Sequence, residues 1–138
     1  MIFKAKKSLG QNFLVDQNIL KIIANSTKVE QNDEIVEIGP GTGNLTKFLL
    51  KKNPKKLYLI EKDENLVNLL KNKFNENLNI INEDILKFSK KNLLNNESII
   101  FGNLPYNISS QILVKFIINK NKFKFKKLIF MFQKELAD

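Results

Sequence analysis

The sequence predicts an α/β domain in which a mostly parallel sheet carries helices on both faces. Two observations lead to it. Short apolar runs of strand length alternate with segments of helical periodicity, and a glycine-rich turn links the first run to the helix after it. Strands that alternate with helices are joined by crossovers, which leave the strands parallel and covered on both sides. No repeat or low-complexity linker interrupts the pattern, so residues 1–138 are expected to form one domain.

Taken in order, Asp16 reads as the N-cap of a short amphipathic helix carrying Ile19, Leu20, Ile22 and Ile23. Residues 34–38 (EIVEI) form the first strand, broken by the glycine turn at 39–43. Residues 45–52 repeat apolar side chains at helical spacing until Asn53-Pro54 stops them. A second strand follows at 56–60, a helix at about 64–74, and a third strand at 78–81. The fourth strand is expected at 98–101, a helix at 110–119, and the fifth strand at 126–132, after which 133–138 open another helix.

An apolar content of 43% suits a chain with a packed core and excludes the disordered class. The longest apolar run, 128–132, is strand-sized and too short for a membrane span, and no signal-peptide core follows the basic N-terminus. A cytoplasmic protein with no membrane association is therefore expected. Cysteine is absent, which excludes disulfides and thiolate metal sites, and histidine is absent too. No metal is expected.

The chain carries 23 cations, all of them lysine, against 14 acids, for a net charge of +9. Such a surface attracts nucleic acid or anionic lipid. Lys, Asn and Ile are over-used together, however, as A/T-rich coding would produce, so charge alone decides nothing. Lysine also meets phosphate as a point charge, without arginine's bidentate fork, and is poorly suited to reading sequence. The lysine-rich stretch 120–127, with Phe123 and Phe125 interleaved, reads as a solvated connection entering a strand rather than an RNA contact.

In parallel sheets of this kind ligands bind beyond the carboxyl ends of the strands, where strand order reverses. Each expected strand end carries a suggestive group. The first leads into Gly39-Pro40-Gly41-Thr42-Gly43. Alternate glycines let the backbone bend sharply and let a ligand approach main-chain N–H groups. This spacing differs from the G-x-G-x-x-G that cradles a pyrophosphate, and better suits the amino acid and ribose of S-adenosyl-L-methionine. The second strand ends in Glu61, about 20 positions beyond the turn, where such folds bind ribose hydroxyls. A carboxylate can accept from both hydroxyls together. The third leads to Asp84, which could accept from the adenine amine. Glu37, within the first strand, is either a further candidate or a structural polar group.

The fourth strand leads into Asn103-Leu104-Pro105-Tyr106. An adenine exocyclic amine is a poor nucleophile because its lone pair is delocalised into the ring. Acceptors on its hydrogens, here the Asn103 side-chain oxygen and the Leu104 carbonyl, favour the more tetrahedral nitrogen. Pro105 fixes the local backbone, and Tyr106 offers a flat face for a base that has left its helix. A sulfonium methyl is already a strong electrophile, so positioning and electrostatics suffice without a histidine base. The tetrapeptide is similar to the Asn-Pro-Pro-Tyr and Asp-Pro-Pro-Tyr motifs of DNA-adenine and protein-glutamine methyltransferases, so it specifies the reaction class more firmly than the substrate.

With these motifs in place, the chain resembles the ribosomal RNA adenine dimethyltransferase family, its bacterial small-subunit branch in particular. The matching stretches are KKSLGQNFL (6–14), VEIGPGTGNLT (36–46), IEKD (60–63), NED (82–84), FGNLPYNIS (101–109) and MFQKELAD (131–138). The resemblance implies a Rossmann-like S-adenosylmethionine-dependent methyltransferase fold and dimethylation of adjacent adenines in small-subunit ribosomal RNA. It places Asn12 and Leu14 in a segment that closes over the cofactor. It likewise places Gly39 at the methionine part, Gly41 in the same turn, Glu61 at the ribose, Asp84 at the adenine and Asn103 between cofactor and substrate, with Tyr106 stacking on the target.

Family members continue past MFQKE with the last strands of the sheet and a smaller helical domain that grips RNA. The chain is expected to lack these and to leave an exposed sheet edge with apolar surface. The expected partner is the small ribosomal subunit, bound by a monomer. Two alternatives stay open. One is a large-subunit adenine methyltransferase of the macrolide-resistance type; the other is a non-catalytic RNA-binding or assembly fragment.

Overall fold

A computed structural model of the chain describes residues 16–74, 78–88, 93–95, 97–119 and 123–131, without the side chain of Tyr106. The elements are α1 (Gln17–Ala24), β1 (Glu34–Ile38), α2 (Thr46–Leu50), β2 (Lys56–Glu61) and α3 (Glu64–Lys73). Then come β3 (Asn79–Asn82), a 3-10 turn (Ile85–Lys87), β4 (Ser98–Asn103), α4 (Tyr106–Ile118) and β5 (Lys127–Met131). Five strands form one sheet in the order β3-β2-β1-β4-β5, and every neighbouring pair is parallel. Chain order reverses between β1 and β4, which puts the switch point at the centre of the sheet.

The period-2 alternation of strand side chains sorts the core into two layers. Ile35, Leu57, Leu59, Ile99 and Phe101 pack on one face with Leu20 and Ala24 of α1, Leu49 of α2 and Leu70 of α3. Val36, Ile38, Ile60 and Ile100 pack on the other with Ile112 and Phe116 of α4 and with Ile85 of the 3-10 turn. Both faces are therefore covered, as expected for a parallel sheet. Phe123 is buried in the second layer, its ring edge-on to Phe116 at 5.5 Å, and Phe125 lies 6.0 Å from the same ring. The aromatics between the lysines thus serve the core.

Several boundaries differ from expectation for local reasons. Asp16 does cap α1, accepting the N–H groups of Asn18 at 2.9 Å and Ile19 at 3.3 Å. Helix α2 is shorter than residues 45–52 because the chain turns at Lys51 and Lys52, and Asn53 takes a left-handed φ of 52° ahead of Pro54. Strand β3 lies one residue later than expected, and β4 runs two residues further, to Asn103. Helix α4 begins at Tyr106 rather than at residue 110, because the Pro105 carbonyl accepts Ile108 and Ser109 N–H at 3.1 and 3.0 Å and starts the helix across a polar stretch. The helix expected at 133–138 lies outside the described residues. Among the described residues β3 and β5 are the sheet edges, and α4 leaves Val114, Ile117 and Ile118 exposed. No helix among the described residues is long and apolar enough to cross a membrane.

Candidate functional site

Strand tips and one loop meet at the carboxyl edge of the sheet. Near the end of β1, Glu37 is only 2% exposed and its Oε2 accepts the Thr46 hydroxyl at 2.6 Å. Burial pushes this carboxyl up to about 8; the Thr46 bond opposes the rise and the Glu61 charge adds to it. The chain then reverses through Gly39, Gly41 and Gly43, at φ of +66°, +60° and +86°. At Gly39 a Cβ would run into the side chain of Leu104, so the left-handed backbone and the close approach both require glycine. The Gly39 N–H remains tied to the Ile60 carbonyl at 2.9 Å, which fixes the turn to β2.

Glu61 closes β2, 6% exposed. Burial pushes its carboxyl up to about 7; the N–H groups of Asp63 and Gly41 oppose that rise and the Asp63 charge adds to it. Asp63 is buried and caps α3 by accepting the Asn65 N–H at 2.8 Å. Asn82, at the end of β3, donates to the Glu61 and Lys62 carbonyls at 3.0 and 3.1 Å, tying the two tips together. Asp84 caps the 3-10 turn: its Oδ1 accepts the Leu86 N–H at 3.0 Å, and its Oδ2 lies 3.5 Å from the Lys62 ammonium.

Beyond β4, the Leu104 carbonyl accepts the hydroxyl of the fully buried Ser109 at 3.3 Å. With the two N–H groups on the Pro105 carbonyl, this holds residues 103–105 against the first turn of α4.

A single crevice joins these groups. Gly39, Gly41, Glu61, Asp84, Asn103, Leu104 and Pro105 all line it, and so does Glu37. Register explains the convergence: Ile38 pairs with Ile60 and with Gly102, and Glu61 pairs with Asn82, so the ends of adjacent strands are level. The crevice also takes in Asp63, Leu66, Ile85 and Leu86, which sequence reasoning did not select. Asp63 was detectable as an N-cap signal before a helix; Ile85 and Leu86 carry only the adjacent Asp84 as a cap, and the Lys115 contacts that hold them come from about 30 residues away. Asn12 and Leu14 lie outside the described residues, as does the Tyr106 side chain; the Tyr106 backbone opens α4. Among the described residues no group of three or more acidic side chains is placed to hold a metal.

Sheet order, glycine turn and acidic strand tips together define a methyltransferase of the Rossmann-like, S-adenosylmethionine-dependent fold class. Two crystal structures agree. A dimethyladenosine transferase from Plasmodium falciparum superposes with a TM-score of 0.72 at 34% identity, covering 91% of this chain and 45% of that one. The 23S rRNA methyltransferase ErmE superposes at 0.76 with 25% identity, covering 91% and 50%. The family model for ribosomal RNA adenine dimethylase matches residues 2–138, and the chain belongs to that family. A ribosomal RNA small subunit methyltransferase A from Pelagibacter ubique is 55% identical across 100% of this chain and 53% of its own length. The chain spans about half the length of the curated relatives it matches.

Proposed function

We propose that residues 1–138 act as one domain that binds S-adenosyl-L-methionine and dimethylates adjacent adenines of small-subunit ribosomal RNA at the exocyclic nitrogen. One observation carries this reading: the carboxylates of Glu61 and Asp84 and the loop Asn103-Leu104-Pro105 share a crevice. The crevice suits the cofactor chemically. Glu61 offers two oxygens to a pair of ribose hydroxyls, Asp84 an acceptor to the adenine amine, and Leu66, Ile85 and Leu86 an apolar bed for a flat ring. Glu61, once ionised, also lends negative charge to a site for a cationic ligand. When bound, the cofactor supplies a methyl group on a sulfonium centre.

The chain's own residues do the rest. Asn103 and the Leu104 carbonyl accept from the target amine and hold it pyramidal, Pro105 fixes their backbone, and Tyr106 stacks on the extruded base. Asn12 and Leu14 close over the cofactor. A monomer working in the cytoplasm on the small ribosomal subunit, without a metal, belongs to the same proposal.

The small-subunit branch is favoured over the large-subunit one by 55% identity to a small-subunit relative against 25% to ErmE. The non-catalytic reading is disfavoured by Asn103 and Leu104 lying at the crevice wall. The test is methyl transfer to purified, unmethylated small and large subunits. Label is expected in small-subunit RNA, and label confined to the large subunit would refute the assignment. In the same assay Tyr106→Ala should leave cofactor affinity intact and cut transfer roughly ten- to hundredfold, the loss of about 1–3 kcal/mol of base stacking.

A further inference from the structure

Lys115 sits in the last turn of α4, and its ammonium donates to three main-chain carbonyls, those of Ile85, Leu86 and Phe88, each at 2.9 Å. An ammonium has three N–H donors and no acceptor, so a single short stretch of backbone fills its whole capacity. That stretch is the 3-10 turn after β3. Asp84 fixes the same turn from its other end through the Leu86 N–H at 3.0 Å. The turn is therefore clamped between a carboxylate at its start and an ammonium at its finish. Ile85 and Leu86, held between them, line the crevice beside Asp84. Burial lowers the Lys115 pKa, and the Asp84 charge opposes the fall.

We propose that Lys115 is a positioning residue for base recognition: by clamping the Ile85–Lys87 turn it holds the Asp84 carboxylate where it meets an exocyclic amine, and so sets the preference for adenosine in the bound cofactor. The inference rests on the cofactor reading above. The geometry also explains why the residue is lysine. A planar guanidinium fork cannot direct three N–H groups at carbonyls converging on a point, and an apolar side chain offers them no donor.

The experiment compares binding of S-adenosylhomocysteine and S-inosylhomocysteine to the full chain by calorimetry. The inosine form carries a carbonyl oxygen where adenine has its amine, so it loses the exocyclic donor to Asp84 and keeps only the ring N1–H on that edge. The unmodified chain should prefer the adenosine form. Lys115→Met should weaken that form roughly tenfold, the scale of one hydrogen bond to a charged group, and change the inosine form less than about twofold. Lys115→Arg keeps the charge and serves if the methionine variant does not fold; it should narrow the preference in the same direction by a smaller factor. A preference that stays unchanged in a folded variant, or equal weakening of both ligands, overturns the inference and leaves the cofactor reading standing. Failure of the unmodified chain to bind either nucleoside overturns both.

Discussion

Two buried carboxylates, Glu37 and Glu61, carry the most information about how the crevice works. Both are held in their neutral form more readily than a surface glutamate, with values near 8 and 7. A protonated Glu61 accepts less well from ribose hydroxyls and gives no charge to a sulfonium ligand. S-adenosylmethionine affinity should therefore climb as pH rises from 6 to 8, approaching tenfold per unit below about 7. Calorimetry across that range checks it, and Glu61→Gln should flatten the climb. Glu61→Ala should cost about 1.5–3 kcal/mol of binding at pH 8.

The ligand-free chain should show the opposite trend in stability. A carboxyl whose folded pKa exceeds its unfolded one binds more protons when folded, so its contribution is complete below about 4.5 and is lost as pH rises toward 8. Thermal melts should show Glu37→Gln gaining on the parent between pH 5 and 8. Glutamine keeps an acceptor for Thr46 and has no charge to bury.

Among the elements, the β1 turn is the part on which the site most depends. Gly39, directly after β1, brings the main chain against Leu104 of the loop after β4, in a backbone conformation that a β-carbon strains. Gly39→Ala should lower stability by about 1–2 kcal/mol for the left-handed backbone and displace Leu104 besides. Urea unfolding should report the first effect and weaker S-adenosylmethionine binding the second; an unchanged midpoint would contradict this packing. The strands and their acidic tips were legible in the sequence because strand-length apolar runs, glycine spacing and single carboxylates are local signals. What sequence reading missed depends on capping within polar stretches and on one contact between distant segments. The 3-10 turn exists because Asp84 caps it and Lys115 seals it from 30 residues away. Helix α4 starts early because the single Pro105 carbonyl accepts the N–H groups of Ile108 and Ser109, within a stretch that composition alone reads as loop.

The fold as a whole does one thing for function: parallel pairing in the order β3-β2-β1-β4-β5 brings the tips of four strands level around the switch point. Residues separated by more than 60 positions, from Gly39 to Asn103, thereby face a common space. That consequence followed from the alternation of strands and helices, since parallel sheets place their carboxyl ends along one edge. The roles proposed for Asn12, Leu14 and Tyr106 follow from family membership and from the chemistry of their side chains. The most direct measurement is a crystal structure of the chain with S-adenosylhomocysteine. It should show ribose hydroxyls on Glu61, the adenine amine on Asp84 and the sulfur facing Asn103. A ligand seated away from these tips, or on the opposite edge of the sheet, would contradict the proposed site outright.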